Sequence, residues 1–140
     1  MESKGQLLIV DDNPQNIQVL GTMLRNENYR ISVAMNGVQA LERVKAAKPE
    51  LILLDVQMPE MDGIECCKRL KADPETKDIP VIFLTALSQT EDMKRGYEVG
   101  AADYATKPFN GPELLRRVET HLSLYQTMLE LAELRKNLNP

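Results

Sequence analysis

The chain has 140 residues, with 17 Lys plus Arg against 21 Asp plus Glu and a formal net charge of −4. That length suits one domain able to bury about two thirds of the surface its unfolded form exposes, and the weak negative balance excludes a global basic field that would draw it to nucleic acid or an anionic membrane. The opening MESKGQ lacks the apolar core of a signal peptide, and no apolar run approaches the roughly 20 residues needed to cross a bilayer, so a soluble cytoplasmic protein is expected.

The first element is the apolar run 7–10, which ends on two adjacent aspartates, Asp11 and Asp12, where an ordinary turn needs only one polar residue. Residues 16–26 follow, with Ile17, Leu20, Met23 and Leu24 at helical spacing. A second strand is expected at Arg30–Ala34, then a helix over 36–47 carrying Val38, Leu41 and Val44 on one face. The run 51–54 is a third strand and stops at Asp55; Asp62 is placed to cap a helix through Ile64 and Leu70. The adjacent Cys66 and Cys67 suit neither a disulfide framework nor a zinc site and are expected as buried, reduced thiols. Residues 71–80 are expected as a loop, with Pro80 disfavouring helix at Ile79. A fourth strand, 81–84, leads to a helix near Thr90, a weaker fifth strand at 101–106, and a last helix from Gly111 and Pro112 onward.

Five strands alternating with helices, apolar on both faces, predict an α/β fold with a doubly wound parallel sheet covered on each side. In such sheets ligands bind beyond the carboxyl ends of the strands. Asp11, Asp12, Asp55, Thr85 and Lys107 follow four separate strands at that edge. Any one of them alone is a solvated strand stop. Two adjacent carboxylates facing a third would repel strongly unless a divalent cation sat among them, and hard oxygen ligands suit Mg²⁺.

The sequence at this point resembles the receiver domains of two-component response regulators, over residues 5–123. The resemblance rests on VDD at 10–12, LLDVQMPEMDG at 53–63, LTA at 84–86 and KPF at 107–109. It implies a flavodoxin-like five-stranded sheet and a signalling domain, not an enzyme acting on a separate substrate, that catalyses its own phosphoryl transfer and slow autodephosphorylation. Asp55 would accept a phosphoryl group from a phosphohistidine on a sensor histidine kinase or histidine phosphotransfer protein. Mg²⁺, for which Mn²⁺ could substitute, would be held by Asp12, Asp55 and the backbone carbonyl of Gln57, with Asp11 acting through water. Lys107 and Thr85 would bind the phosphoryl oxygens, together with the backbone N–H of Ala86. Thr85 and Tyr104 would form a switch, read out on the surface of the fourth helix, fifth strand and fifth helix. The Lys107–Pro108 bond is a cis candidate in the family.

Two other classes are weighed against this. A phosphatase of the haloacid dehalogenase type needs a second aspartate two residues after the nucleophile, where this chain has Gln57. A phosphorylation-independent interaction module would show losses at the acidic, threonine or lysine positions, and all are present. Met58, Pro59 and Met61 suit loop packing, and His121 is expected on the surface or flank of the last helix. Residues 1–123 are expected as the receiver, and 124–140 as a helical extension. In that extension Leu124, Thr127, Leu131, Leu134 and Leu138 alternate spacings of three and four, as in a heptad seam. The stripe Val118, Leu122, Tyr125 and Leu129 would continue the packing face. The extension is expected to form a homodimer or to lead to an output domain, with no direct contact to nucleic acid or membrane.

Overall fold

The computed structural model describes residues 3–86 and 90–138. Strands β1 (Gln6–Val10), β2 (Arg30–Ala34), β3 (Leu51–Asp55), β4 (Val81–Ala86) and β5 (Asp103–Lys107) alternate with helices α1 (Pro14–Asn26), α2 (Gly37–Ala46), α3 (Gly63–Ala72), α4 (Thr90–Glu98) and α5 (Gly111–Leu138). All strand pairs are parallel, in the order β2-β1-β3-β4-β5. This is the flavodoxin-like, doubly wound sheet expected, and its order reverses between β1 and β3.

Pleating sends alternate residues of each strand to opposite faces. Leu8, Val10, Ile52, Leu54, Val81 and Phe83 join Ala40 and Val44 of α2 and Ile64, Cys66, Cys67 and Leu70 of α3 in one core. Leu7, Ile9, Leu51, Leu53, Ile82 and Leu84 join Leu20 and Leu24 of α1 and Leu114, Val118 and Leu122 of α5 in the other. Continuing the count past the apolar residues places Asp11, Asp55 and Lys107 on the α1/α5 parity, two residues beyond Ile9, Leu53 and Ala105. Thr85, two beyond Phe83, has the parity of Tyr104, whose register partner is Phe83. The polar residues at the sheet edge are thus sorted into two sets before any loop is considered.

Local signals set the boundaries. Asn13 accepts hydrogen bonds from the backbone N–H groups of Gln15 and Asn16 and Pro14 opens α1, so the helix begins ahead of the expected 16–26; Pro14 has no N–H to leave unpaired in a first turn. Asn36 caps α2 through the Gln39 N–H, and the Gln39 side chain accepts in return from the Met35 N–H. Asp62 caps α3 through the Glu65 N–H at 2.8 Å, as expected. Lys71 and Ala72, expected in a loop, are the last turn of α3. The Lys71 ammonium donates to the carbonyls of Lys77 and Ile79 at 2.8 and 2.7 Å, stitching the following segment back to the helix. Burial pushes the Cys66 and Cys67 thiols up to about 12 and about 11, so both are inert as anticipated. The Lys107–Pro108 peptide is cis.

Helix α5 is packed farther than a boundary at residue 123 implies. Tyr125 is buried, and it joins the α2/α3 core instead of the α1/α5 core that the rest of its helix covers. Gln126 donates to the Lys4 carbonyl and to Glu50 Oε2 at 3.2 and 3.1 Å. Beyond it every described residue is exposed, Leu129 included, so the packing stripe ends at Tyr125.

Gly63 shows how tightly one turn is built. A Cβ there would sit 2.2 Å from the Asp55 carbonyl oxygen, a backbone atom that cannot swing away, while the Gly63 N–H donates to the Val56 carbonyl at 2.8 Å. Gly63→Ala is therefore expected to destabilise the protein by roughly 1–3 kcal/mol or more through overpacking, measured as a lower midpoint in urea.

Candidate functional site

The carboxyl edge of the sheet opens into a cleft of about 210 Å³ lined by Asp11, Asp12, Asp55, Gln57, Thr85, Ala86 and Lys107 among others. Every residue singled out there from sequence is therefore in one place, apart from Tyr104, which lies on the neighbouring edge. Asp55 ends β3, Thr85 and Ala86 end β4 and Lys107 ends β5; they lie within the strands, not just past them. A cleft this size falls below the roughly 300–1,000 Å³ usual for drug-sized ligands. It suits an ion and a phosphoryl group better than an enclosed metabolite.

Asp11 and Asp55 are buried, whereas Asp12 is exposed. Each of the three offers one carboxylate oxygen, and those oxygens lie within 4.8 Å of one another. The Lys107 ammonium answers this concentration of charge at 3.2 Å from Asp55 Oδ1 and 3.6 Å from Asp11 Oδ2. Both oxygens of Asp11 already accept hydrogen bonds, from the Asn13 N–H at 2.9 Å and the Asn16 side-chain amide at 3.2 Å. Neither asparagine was singled out from sequence. The signal was their position in the first turn of a helix that follows an acidic pair. Burial and the neighbouring Asp11 carboxylate push the Asp55 carboxyl up to about 6, against the opposing pull of Lys107 and the Gln57 backbone N–H. The Thr85 hydroxyl is buried, and among the described residues it makes only a 3.4 Å contact to the Ala86 carbonyl.

On the adjacent edge Tyr104 is half-buried between two elements. Its ring meets Tyr97 of α4 edge-on, with centroids 5.9 Å apart, and the Arg117 guanidinium of α5 lies 5.5 Å from its centroid. Arg117 is fixed in turn by Asp103 and Glu113. His121, expected on the surface or flank of the last helix, lies on its flank with Nε2 3.0 Å from Asp103 Oδ2. The stripe 113, 117 and 121 repeats every four residues, a helical-face signal that the sequence reading passed over.

The comparisons with known proteins bear on this arrangement. The model of the response regulator receiver domain matches residues 7–119. The chain belongs to the response regulator receiver domain family. The receiver is 43% identical to the response regulator PleD of Caulobacter vibrioides over 131 residues, covering 94% of this chain and 28% of PleD. It is 39% identical to the DNA-binding dual master transcriptional regulator RpaA of a Synechocystis species, covering 84% of this chain and 48% of RpaA. The chain thus spans less than half the length of these relatives. Its fold overlays the receiver domain of sensor histidine kinase PA1611 from Pseudomonas aeruginosa, solved with a magnesium ion coordinated in the active site cleft, at a TM-score of 0.79 and 31% identity, over 85% of this chain and 98% of that one. It is a receiver domain of two-component signal transduction. No helix among the described residues is long and apolar enough to cross a membrane.

In the metal-free receiver the raised Asp55 pKa has a consequence for stability. The folded protein holds the Asp55 proton more tightly than the unfolded chain, so stability is lost as pH rises from about 4 to about 6, and the full penalty applies above that. Asp55→Asn is expected to stabilise the metal-free protein by on the order of 1–3 kcal/mol at pH 7 and by nothing near pH 4. Urea denaturation with a chelator across that range measures it, and added divalent cation should narrow the difference by stabilising the wild type alone.

Proposed function

We propose that Asp55 is the phosphoacceptor of this receiver. The observation that carries the reading is the position of its carboxylate, at the end of the central strand, 3.2 Å from the Lys107 ammonium, the only cation among the described residues that line the cleft, and within one ligand sphere of two further carboxylates. A carboxylate oxygen attacks the phosphorus of a phosphohistidine on a histidine kinase or histidine phosphotransfer protein. The P–O bond forms as the P–N bond breaks, and the departing imidazole keeps the electron pair.

The three carboxylates fit a divalent cation: a cluster of oxygen donors, mutually repelling and only partly offset by Lys107, is what a hard ion such as Mg²⁺ or Mn²⁺ relieves. Asp12, Asp55 and the Gln57 carbonyl would hold it, while Asp11, whose oxygens are engaged by Asn13 and Asn16, would act through water. Bound there, the ion supplies positive charge to the phosphoryl oxygens. Lys107 contributes a second positive charge. Thr85 and the Ala86 N–H supply hydrogen bonds to the transferred group, and the threonine is free to do so because its hydroxyl is weakly engaged. Every side chain this transfer would use lines the cleft, which favours this reading over a binding module that has lost phosphorylation.

Thr85 and Tyr104 share one sheet face, so movement of the hydroxyl toward the phosphoryl group would open space on the side where the ring lies. Tyr97 and Arg117 hold the ring in its present half-buried place. The switch is then a competition between that hold and the vacated space. Slow autodephosphorylation, by water reaching the acyl phosphate through the open cleft, would reset it. The receiver would act through an output domain or a partner protein, a reading supported by the greater length of PleD and RpaA.

Incubation with acetyl phosphate and Mg²⁺ should add one phosphoryl group labile to base and hydroxylamine. Chelator should suppress it and Asp55→Asn abolish it; equal labelling of the Asn variant would place the nucleophile elsewhere. Thr85→Ala should still be phosphorylated, yet the Tyr104 ring resonances should respond to phosphodonor far less than in the wild type. A full wild-type response there would disconnect the threonine from the ring.

A further inference from the structure

Helix α5 does two jobs along its length. Up to Gln126 it packs on the domain, and from 127 to 138 it stands clear while remaining helical. Twelve residues at 1.5 Å each make a free arm of about 18 Å. An isolated helix of that length is marginal in water, because helices of this size draw most of their stability from packing an apolar face. The face exists. Leu124, Leu131, Leu134 and Leu138 are 62%, 51%, 55% and 78% exposed, at steps of seven, three and four residues, with Thr127 completing the pattern. Leu124 carries the seam back onto the packed part of the helix, so whatever covers it must also sit beside the domain.

The charges beside the seam identify the occupant. With Leu124, Leu131 and Leu138 at position a and Thr127 and Leu134 at d, Glu130 falls at g and Arg135 at e. Neither has a partner of opposite charge three or four residues away in its own helix, and neither makes an ion pair among the described residues. In a parallel, in-register pair, position g of one helix faces position e of the next heptad on the other. Glu130 would meet Arg135 of a second copy twice, by symmetry. An antiparallel pair opposes g to g and e to e, which sets Glu130 against Ser123, Glu130 or Asn137 and Arg135 against Met128 or itself, with no attraction in either register.

We propose that residues 124–138 form a parallel, in-register, two-stranded coiled coil with a second copy of this chain, with Leu124, Leu131, Leu134 and Leu138 in the seam and Glu130–Arg135 pairs fixing the orientation. The seam spans two heptads, fewer than the three or four a self-sufficient coiled coil needs, so the association is weak and reversible. It brings the two receiver bodies side by side around Leu124 and delivers both helix ends at one point. The inference does not depend on Asp55 being the phosphoacceptor, since the seam is exposed in the unphosphorylated state.

Sedimentation equilibrium of the full 140-residue chain between about 10 and 500 µM tests it. The wild type should show reversible dimerisation, and Leu131→Asp, a change at an exposed position whose folding is checked by circular dichroism, should be monomeric throughout. Glu130→Arg and Arg135→Glu should each weaken the dimer several-fold, and the double variant should recover it. Leu138→Cys should cross-link quantitatively under mild oxidation, because a parallel register places the residue beside its twin while Cys66 and Cys67 stay buried. A wild type that is monomeric across the range overturns the proposal, as does a dimer that survives Leu131→Asp. A dimer with neither charge-swap recovery nor cross-linking overturns the parallel register.

Discussion

The structure depends on a concentration of negative charge that the fold alone makes unfavourable. Three carboxylate oxygens share a space under 5 Å across, and two of the residues that carry them are buried. One ammonium group stands against them. Lys107 is held to the two buried acids at distances that let it serve both, yet burial and then the Asp11 carboxylate outweigh it and keep the Asp55 pKa raised. Much else follows from holding this arrangement: Asn13, which caps α1, and Asn16 in its first turn engage Asp11, and a side-chain-free residue at 63 lets the chain pass within contact distance of the Asp55 carbonyl.

Strand parity then divides the labour. Asp11, Asp55 and Lys107 turn to the α1/α5 face, where charge is handled, and Thr85 and Tyr104 turn to the other, where packing is handled. Among the described strand residues that line the cleft, Thr85 alone has the parity of Tyr104. In the proposed switch, a change at the cleft would reach the α4–β5–α5 edge without any residue spanning the sheet. There it would meet a small assembly, Tyr97 and Arg117 on the ring with Asp103 and Glu113 on the guanidinium and His121 on Asp103. That assembly lies apart from the residues that line the cleft.

Most of the fold was legible because its signals are local and repetitive: apolar runs of strand length, helical periodicity between them, and polar residues of complementary chemistry at each strand end. Boundaries were less so, for identifiable reasons. Pro14 and Asn13 mark a helix start that the apolar periodicity, beginning at Ile17, does not reach. Lys71 looks like loop because it is charged, yet its ammonium is satisfied by two carbonyls that only the folded turn brings near. The partner of His121 was not legible because Asp103 lies eighteen residues away on another element. The site itself was readable as a set of residues, but not the hydrogen bonding of Asp11 or the hold on Tyr104. Both depend on tertiary neighbours that no spacing along the chain announces.

Tyr125 reaches around the amino-terminal edge of the sheet into a core whose other members all lie between residues 8 and 83. The last part of the domain to leave a ribosome therefore closes a layer begun by its first strand, while Leu114, Val118 and Leu122 close the opposite layer. The α1/α5 layer is incomplete in a nascent chain that stops short of residue 122, and the α2/α3 layer in one that stops short of residue 125. One helix therefore contributes side chains to both layers. A chain cut at 123, where the heptad pattern takes over in the sequence, would lack a side chain from the layer that α5 otherwise does not touch.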